Sequence, residues 1–333
     1  MKTFAYDRAE DAASVAAALA QGATRVLAGG TNLVDLMKLG VETPDRLIDI
    51  TGLALADTQW NADSGLRVGA LVRNSDLAAD PVVRSQYPVL SRALLSGASG
   101  QLRNMATTGG NLFQRTRCPY FMNVDTACNK REPGSGCSAL EGDRRNAAVL
   151  GASQYCIATH PSDMAVGLAV LDPTVGVVGT DGIREIRFAD LHRLPESTPE
   201  RDSTLRDGEW VTHLDIPPLP SGARSTYRKV RDRASYAFAV VSVAAVVVVE
   251  NGVFTTVRIA LGGVAHKPWR ATIAENDLLG SIPSRAAVVA AMEHELGAAH
   301  TFPDNNYKMS LVASTAASTV MSLSDVAADE ARR

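Results

Sequence analysis

Two short stretches of this sequence repeat a diglycine turn: residues 28–33 read AGGTNL and residues 107–112 read TTGGNL. Glycines let backbone N–H groups approach a phosphate closely, and the start of a following helix adds the positive end of its dipole. The pair predicts two turns that grip a pyrophosphate, the alternative being that each turn only shapes the chain and caps a helix. The candidate cofactor-binding residues are Ala28, Gly29, Gly30, Thr31, Asn32, Leu33, Thr107, Thr108, Gly109, Gly110, Asn111 and Leu112. Neither GxGxxG nor GxxxxGK occurs, so the usual NAD and P-loop patterns are absent.

All four cysteines lie in one segment, residues 115–156, which is about an eighth of the chain. They are Cys118, Cys128, Cys137 and Cys156, separated by nine, eight and eighteen residues. Structural zinc sites usually contain short Cys-x2-Cys pairs, so the wide spacing favours a [4Fe-4S] cluster. Zinc, unliganded thiols and a disulfide pair remain alternatives. The basic residues expected to offset the charge of a thiolate-ligated cluster are Arg115, Arg117, Lys130 and Arg131.

Three polar residues further along the chain are candidates for cofactor contacts. Ser162 and Asp163 begin a segment with helical spacing, where their oxygens can cap the helix or accept hydrogen bonds from a ligand hydroxyl. Lys229 lies in the basic run 227–233, and its ammonium group can face an acidic ligand or solvent. No nucleophile paired with a base stands out, and no histidine pattern indicates a metal site, which argues against a hydrolase.

These residues need a scaffold of alternating strands and helices. The sequence predicts a helix over residues 9–21, strands over 24–28, 46–50 and 66–72, and a helix over 89–95. Residues 115–156 lack apolar periodicity and are expected to form either a long ordered insert or a disordered loop. Asn32 is expected to cap the helix that follows the first diglycine turn.

A proline-rich break at residues 216–222 is the best candidate for a domain boundary. Beyond it, the sequence predicts a smaller sheet backed by helices, with strands over 225–230, 237–249 and 254–261 and helices over 284–296 and 307–322. The predicted domains are therefore residues 1–220 and 221–333, the first with an insert at about 115–156.

Composition limits the function classes. The chain has 333 residues, of which 46% are hydrophobic and 21% charged, and its formal net charge is −3. These values predict a globular protein. They argue against a nucleic-acid partner, since the chain has no overall positive charge with which to bind the phosphates of a nucleic acid. The first twenty residues carry charges where a signal peptide needs an apolar run, and the most apolar stretch, residues 237–249, is too short to span a membrane.

The two diglycine turns, together with PSD at 161–163 and YRKVRDRASYAF at 227–238, resemble the FAD-binding medium subunit of the xanthine dehydrogenase and molybdenum hydroxylase family. The resemblance spans essentially the whole chain. The cysteine-bearing stretch closely resembles flavin and iron–sulfur subunits of bacterial aldehyde oxidoreductases of the periplasmic type, and less closely the beta subunit of 4-hydroxybenzoyl-CoA reductase. The resemblance implies an α/β (α+β) fold. It consists of a two-subdomain FAD-binding region of the PCMH type followed by a C-terminal α/β domain of the CO dehydrogenase flavoprotein type.

The resemblance also implies cofactors, partners and residue roles. Both diglycine turns match pyrophosphate-binding loops, Ser162 and Asp163 match FAD contacts, Lys229 matches a lysine near the flavin, and the four cysteines match [4Fe-4S] ligands. The implied partners are a large molybdenum-cofactor subunit and a small subunit with two [2Fe-2S] clusters, forming a heterotrimer. Electrons would pass from the [2Fe-2S] centres through FAD to an external acceptor, and the position of the [4Fe-4S] cluster on that path stays open.

Other functions and the compartment also remain open at this point. The chain can be the flavin subunit of a xanthine dehydrogenase or of a hydroxybenzoyl-CoA reductase-like complex, or a non-catalytic scaffold whose cysteines bind zinc. A chain without its own signal peptide is expected to stay in the cytoplasm or to be exported folded with a small subunit that carries a twin-arginine signal. The closest resemblance favours export to the periplasm.

Overall fold

The computed structural model describes the backbone of residues 1–330 and the side chains of residues 1–324. Residues 331–333, which end the predicted domain 221–333, lie outside the described residues. The strands are β1 (Ala5–Arg8), β2 (Thr24–Leu27), β3 (Arg46–Asp49), β4 (Thr58–Asn61), β5 (Gly65–Gly69), β6 (Thr174–Gly179), β7 (Gly182–Arg187), β8 (Trp210–Ile216), β9 (Arg224–Val230), β10 (Val241–Glu250), β11 (Val253–Gly262) and β12 (Trp269–Arg270). The helices are α1 (Ala12–Ala20), α2 (Leu33–Lys38), α3 (Asn74–Ala79), α4 (Pro81–Gln86), α5 (Pro88–Ser96), α6 (Gly100–Arg103), α7 (Thr108–Leu112), α8 (Pro119–Met122), α9 (Asp163–Ala169), α10 (Phe188–Leu191), α11 (Thr272–Leu278), α12 (Arg285–Glu295) and α13 (Tyr307–Glu330).

The described strands form three sheets. A small parallel sheet has the order β1-β3-β2, and an antiparallel sheet of five strands has the order β4-β5-β8-β6-β7. The third sheet is an antiparallel meander of four strands, β12-β11-β10-β9, whose strands all follow the proline-rich break at residues 216–222. The mixed α/β fold predicted from the sequence is confirmed.

Local sequence signals explain how the chain enters the first diglycine turn. Helix α1 is capped by Asp11, whose carboxylate accepts a hydrogen bond from the Ser14 N–H, and it ends before Gly22, which has a φ of +72°. Strand β2 then runs directly into Gly29 and Gly30. The predicted helix cap at Asn32 is wrong: its side chain makes no capping bond, and Oδ1 instead accepts from the Arg115 N–H at 2.9 Å.

Strand β10 lies between the two largest cores. Alternate residues point to opposite faces of a strand, so Ala244 and Val246 belong to a core shared with the first 220 residues. Val243 and Ala245 belong to the core packed against the C-terminal helices. Because both faces are covered, the strand needs no polar residues at alternate positions, which explains the unbroken apolar run in the sequence.

Two predictions about strands need correction, and the central strand of one sheet was missed. The strand predicted over residues 66–72 ends at Gly69. The strand predicted over 237–249 begins only at Val241, because residues 237–240 line a cavity instead. Strand β8 was not predicted at all, although it forms the middle of the five-stranded sheet.

The cysteine-bearing segment, residues 115–156, is ordered, which is one of the two outcomes that the sequence predicted for it. Its backbone folds back on itself. Cys128 and Cys137 form an isolated antiparallel β-bridge through their backbones, and the Asn129 N–H donates to the Gly136 carbonyl at 2.6 Å. It also contains helix α8 and a short 3-10 helix, Ser138–Leu140. Among the described residues, no helix combines the length and the apolar character that crossing a membrane requires.

Candidate cofactor sites

A cavity of about 600 Å³ lies where the two diglycine turns meet the start of α9 and the end of β9. Its volume falls in the usual range of small-molecule and cofactor sites. Seven of the predicted cofactor-binding residues line it: Thr31, Asn32, Gly110, Asn111, Ser162, Asp163 and Lys229. Residues far apart in the sequence are thus brought to one place.

The two turns pack directly against each other because of a glycine. A β-carbon added to Gly29 would lie 1.9 Å from the carbonyl oxygen of Met105, two residues before the second turn. Only a residue without a side chain permits this approach. Gly30 adopts a φ of +69°, which also favours glycine. The repeated motif therefore forms one joint structure rather than two separate turns.

The backbone N–H groups of the two turns are used differently. In the second turn, the N–H groups of Thr108 and Gly109 donate to the Val72 and Ala70 carbonyls, and the Gly110 N–H donates to Thr107 Oγ1. In the first turn, no N–H group from residues 30–32 donates to another described part of the chain. The first turn is therefore the better placed of the two to donate N–H groups to a phosphate.

Eight predicted residues shape the turns without lining the cavity. They are Ala28, Gly29, Gly30, Leu33, Thr107, Thr108, Gly109 and Leu112. Thr108 Oγ1 donates to the Val72 carbonyl at 3.0 Å, and Leu112 is fully buried in the largest core. A β-carbon added to Gly109 would meet Ala70 Cβ at 3.1 Å. These residues fix the position of the turns.

Ser162 and Asp163 make their hydrogen bonds within the protein. Ser162 Oγ accepts from the Ala165 N–H at 3.0 Å, which caps α9, and it also hydrogen-bonds to Asn111 Oδ1. The buried carboxylate of Asp163 pairs with Lys229 Nζ at 2.7 Å and accepts from the Tyr227 hydroxyl. Burial raises the pKa of Asp163, while Lys229 opposes that shift. Lys229 thus faces an acidic partner within the cavity wall.

Sequence reasoning missed two histidines that hold these segments together. His160 Nδ1 accepts from the Ser162 N–H at 3.3 Å, and His192 Nε2 lies 2.9 Å from the Leu112 carbonyl, to which it must donate. The two rings meet edge to face with their centroids 4.6 Å apart. Burial lowers the pKa of both imidazoles, that of His192 to about 4. His160 lies directly before the Pro-Ser-Asp stretch, which was the available signal.

Several buried polar atoms at the cavity have no hydrogen-bond partner in the described residues. They are Asn32 Nδ2, Asn74 Oδ1, Arg117 Nε, His160 Nε2 and Ser242 Oγ, and all five residues line the cavity. A buried polar group without a partner costs free energy, so such a set indicates a ligand rich in hydrogen-bonding atoms. FAD has phosphate oxygens, ribityl hydroxyls and polar ring atoms, and these residues therefore fit it.

The four cysteines are free thiols that lie near one another, and no disulfide joins them. Burial, with a smaller contribution from the nearby thiols of Cys137 and Cys118, raises the pKa of Cys156 to about 12, although Lys130 opposes the shift. Burial also raises the pKa of Cys118. Among the described residues, no three cysteine, histidine or acidic side chains come close enough to hold a single metal ion. In a [4Fe-4S] cluster each thiolate binds a different iron, so the four cysteines are not required to converge on a single metal ion.

Two of the four basic residues around the cysteines, Lys130 and Arg115, are paired with acidic neighbours. Lys130 is buried, and its Nζ contacts Asp202 and lies 2.6 Å from the Pro199 carbonyl. Arg115 pairs with Glu42 at 2.6 Å and with Asp202 at 3.0 Å. Both residues are paired with carboxylates, yet Lys130 still lowers the pKa of Cys156, so the prediction that they offset the charge of a cluster stays a prediction. Their main effect is to tie the insert to the segment around residue 200.

Comparison with known protein families gives two matches that together cover most of the chain. Residues 2–219 match the FAD binding domain in molybdopterin dehydrogenase, and residues 225–322 match the CO dehydrogenase flavoprotein C-terminal domain. Neither description names an iron–sulfur cluster, so the predicted [4Fe-4S] cluster stays a prediction.

Individual relatives agree with these matches. The aldehyde oxidoreductase FAD-binding subunit PaoB of Escherichia coli (strain K12) is 51% identical over 322 residues, 96% of this chain and 98% of that protein. The glyceraldehyde dehydrogenase medium chain of Sulfolobus acidocaldarius is 28% identical over 77% of this chain and 74% of its own.

Solved structures show the same fold. Carbon monoxide dehydrogenase from Hydrogenophaga pseudoflava superposes with a TM-score of 0.74 at 22% identity, covering 95% of this chain and 96% of that one. Quinoline 2-oxidoreductase from Pseudomonas putida 86 also gives a TM-score of 0.74, at 21% identity and with 98% of both chains covered.

Proposed function

From the premise that this chain belongs to the FAD-binding medium subunits of the xanthine dehydrogenase family, we propose that it is the electron-transferring flavoprotein of a molybdenum-dependent aldehyde oxidoreductase. The observation that carries the proposal is the 51% identity to an aldehyde oxidoreductase FAD-binding subunit over nearly the full length of both chains. The cavity at the diglycine turns supplies a site of suitable size and polarity.

The residues of this chain bind and orient the cofactor. Free N–H groups of the first turn and Asn32 Nδ2 would donate to its polar atoms from one side of the cavity, where the Asn111 side chain would also contact it. The buried pair of Asp163 and Lys229 keeps the opposite wall rigid. When bound, FAD supplies the redox chemistry, accepting electrons and passing them on.

The four cysteines would hold a [4Fe-4S] cluster in the insert. The proposal is supported by their confinement to one ordered segment and by the absence of a disulfide among them. Burial keeps Cys118 and Cys156 in the neutral form without a metal, and iron would stabilise their thiolates. Such a cluster would either exchange single electrons or stabilise the fold of the insert. Both roles are compatible with the proposal.

Substrate chemistry belongs to other subunits in this proposal. The described cavity holds no nucleophile paired with a general base, whereas hydroxylating an aldehyde needs an activated oxygen donor and a proton acceptor. We therefore assign that step to a large molybdenum-cofactor subunit. A small subunit with two [2Fe-2S] clusters would carry electrons to FAD, and an external acceptor would remove them.

The proposal is tested with the isolated chain loaded with FAD. We expect dithionite to reduce the flavin and an added acceptor to reoxidise it, while aldehyde causes no bleaching of the flavin absorbance until the large and small subunits are added. Aldehyde-dependent reduction by the chain alone, free of copurifying subunits, would assign the substrate chemistry to this chain and contradict the proposal.

Two alternatives give different results in the same preparation. A flavin subunit of a xanthine dehydrogenase or hydroxybenzoyl-CoA reductase-like complex would be reduced through its partners by those substrates and not by aldehydes. A zinc-binding scaffold would be colourless and would contain zinc without iron or flavin. Absorbance spectra and metal analysis therefore separate all three.

We place the complex in the periplasm, exported already folded with a small subunit that carries the signal. Cell fractionation checks this placement. Deleting the signal of the small subunit should leave this chain in the cytoplasm, and an unchanged periplasmic location would show that the chain is exported by another route.

A further inference from the structure

Arg117, so far considered only as a residue that offsets the charge of a cluster, is a cationic residue whose side chain lies at the cavity proposed to bind FAD. Its side chain lines the cavity and is about one fifth exposed. Nη1 lies 3.6 Å from Asp35 Oδ2, and the guanidinium carbon lies 5.2 Å from the centre of the Phe238 ring. The buried Nε has no hydrogen-bond partner. Such an arginine still has donors available for a ligand.

Comparison with Arg115, two residues earlier, shows how incompletely Arg117 is compensated. Arg115 contacts two carboxylates at 2.6 and 3.0 Å, and although burial alone would lower its pKa, Asp202 and Glu42 raise it. The Arg117 side chain is as exposed as that of Arg115, but its one carboxylate neighbour within 4 Å among the described residues is Asp35, at 3.6 Å. A largely enclosed guanidinium with so distant a partner is stabilised when an anion occupies the neighbouring space.

The position of Arg117 selects one part of the cofactor. Asp35 lies on α2, the helix that follows the first diglycine turn, so the guanidinium lies on the side of the cavity formed by Thr31 and Asn32. The pyrophosphate carries the negative charge of FAD at neutral pH, and the first turn has unused N–H groups. We propose that Arg117 binds the pyrophosphate of FAD and completes, with the first diglycine turn, a single anion site.

This assignment rests on the proposed function, because it requires FAD in this cavity. It adds a cofactor-binding residue that comes from the base of the cysteine insert, directly before Cys118. The same segment therefore serves both cofactors: its arginine holds FAD and the next residue is a proposed cluster ligand.

The test compares FAD with riboflavin, which has the same ring system and no phosphate. Flavin is removed from the full-length protein, and the dissociation constants of both ligands are measured by quenching of flavin fluorescence. Arg117→Met should weaken FAD binding about tenfold to a hundredfold, the effect expected for a lost charge-assisted hydrogen bond, and should leave riboflavin binding unchanged. Arg117→Lys should give an intermediate loss, because it keeps the charge but loses the fork of donors.

Arg103 supplies a matched control. It lines the same cavity, but its Nη1 already donates to the Gly97 carbonyl at 2.6 Å. Arg103→Met should therefore change the ratio of FAD to riboflavin affinity much less than Arg117→Met. Pyrophosphate should compete with FAD for the wild-type protein and fail to compete in Arg117→Met.

Each unfavourable result has a distinct meaning. Equal weakening of FAD and riboflavin in Arg117→Met would show that Arg117 only supports the fold, and unchanged FAD affinity would show that the pyrophosphate lies elsewhere; both overturn the inference. Iron content and thermal unfolding are measured in the same variants, because a collapsed insert would weaken the binding of both ligands. If the wild-type protein binds neither ligand, the proposed function itself fails.

Discussion

At the scale of single residues, two buried histidines hold segments next to the cavity in place, and the His160 contact requires a neutral ring. His160 Nδ1 can accept from the Ser162 N–H only when it carries no proton, and His192 donates to Leu112 through a ring nitrogen. Protonating either ring would place a charge in a closed interior next to another imidazole. The geometry of the cavity wall therefore depends on pH.

We expect the free energy of unfolding to decrease as pH falls below about 6.5. The unfolded chain takes up a proton near that value, whereas folded His192 takes one up only near pH 4, so acid favours the unfolded chain. At 1.36 kcal/mol per pKa unit, His192 alone accounts for roughly 3 kcal/mol. Urea denaturation at several pH values between 7 and 4 measures the loss.

His192→Gln is the matched variant for this experiment. Glutamine keeps an N–H donor for Leu112 and does not titrate, so the pH dependence should become shallower by the share due to His192. An identical pH dependence in both proteins would show that His192 does not contribute to acid sensitivity.

A second prediction at this scale concerns Gly29. Gly29→Ala would put a β-carbon 1.9 Å from a backbone oxygen, so the two diglycine turns must separate. We expect a loss of about 1–3 kcal/mol in stability and the loss of bound FAD. Thermal unfolding and flavin content measure the two effects. Gly100→Ala is the control, because its added carbon meets nothing within 4 Å; equal effects of both changes would contradict the packing argument.

At the scale of elements, the cysteine insert depends on few contacts of its own. A small apolar cluster joins Phe121 and Cys128 of the insert to Leu36 of α2, and of the rest of the insert only Val149 and Leu150, near its end, join a larger core among the described residues. The insert is otherwise tied down by polar contacts, such as Arg131 donating to the Tyr120 and Phe121 carbonyls. We therefore expect the proposed cluster, if bound, to add to the order of this segment.

We expect about four irons per chain in the wild-type protein, as a [4Fe-4S] cluster requires. Cys128→Ser and Cys137→Ser should lose this iron, and protease cleavage within residues 115–156 should increase. Iron analysis and limited proteolysis check the two effects. Wild-type iron content in both variants would rule out these cysteines as ligands.

The sequence predicted elements where the signal is local and missed features that depend on distant residues. Helix α1 and the diglycine turns follow from capping residues and glycines within a few positions. The burial of Asp163 against Lys229, 66 residues away, could not be read from either segment alone. Strand β8 was missed because polar Asp215 interrupts its apolar pattern, and that residue pairs with Arg67 on the neighbouring strand.

At the scale of the whole molecule, the proposed boundary near residue 220 does not separate two independent cores. Tyr227, Ala244 and Val246 belong to the same apolar core as Leu90 and Leu168. Removing the residues after 220 would therefore expose a large buried surface of the first region. The chain is organised as two regions that complete each other.

We expect residues 1–220 expressed alone to aggregate or to bind hydrophobic dyes, and not to bind FAD. Coexpression with residues 221–333 should restore a soluble complex, since both halves of the shared core are then present. Gel filtration and flavin content report the outcome. A soluble fragment 1–220 with bound FAD would show that the shared core is dispensable.

The shared core also bears on how the protein is made. A ribosome releases the N-terminal region first, yet Lys229, the 236–240 wall of the cavity and both cores around β10 are synthesised late. The diglycine turns therefore cannot form a complete cavity until nearly the whole chain has left the ribosome. FAD can then bind only to a completed polypeptide, so its yellow colour in cell extracts reports finished synthesis rather than the amount of nascent chain.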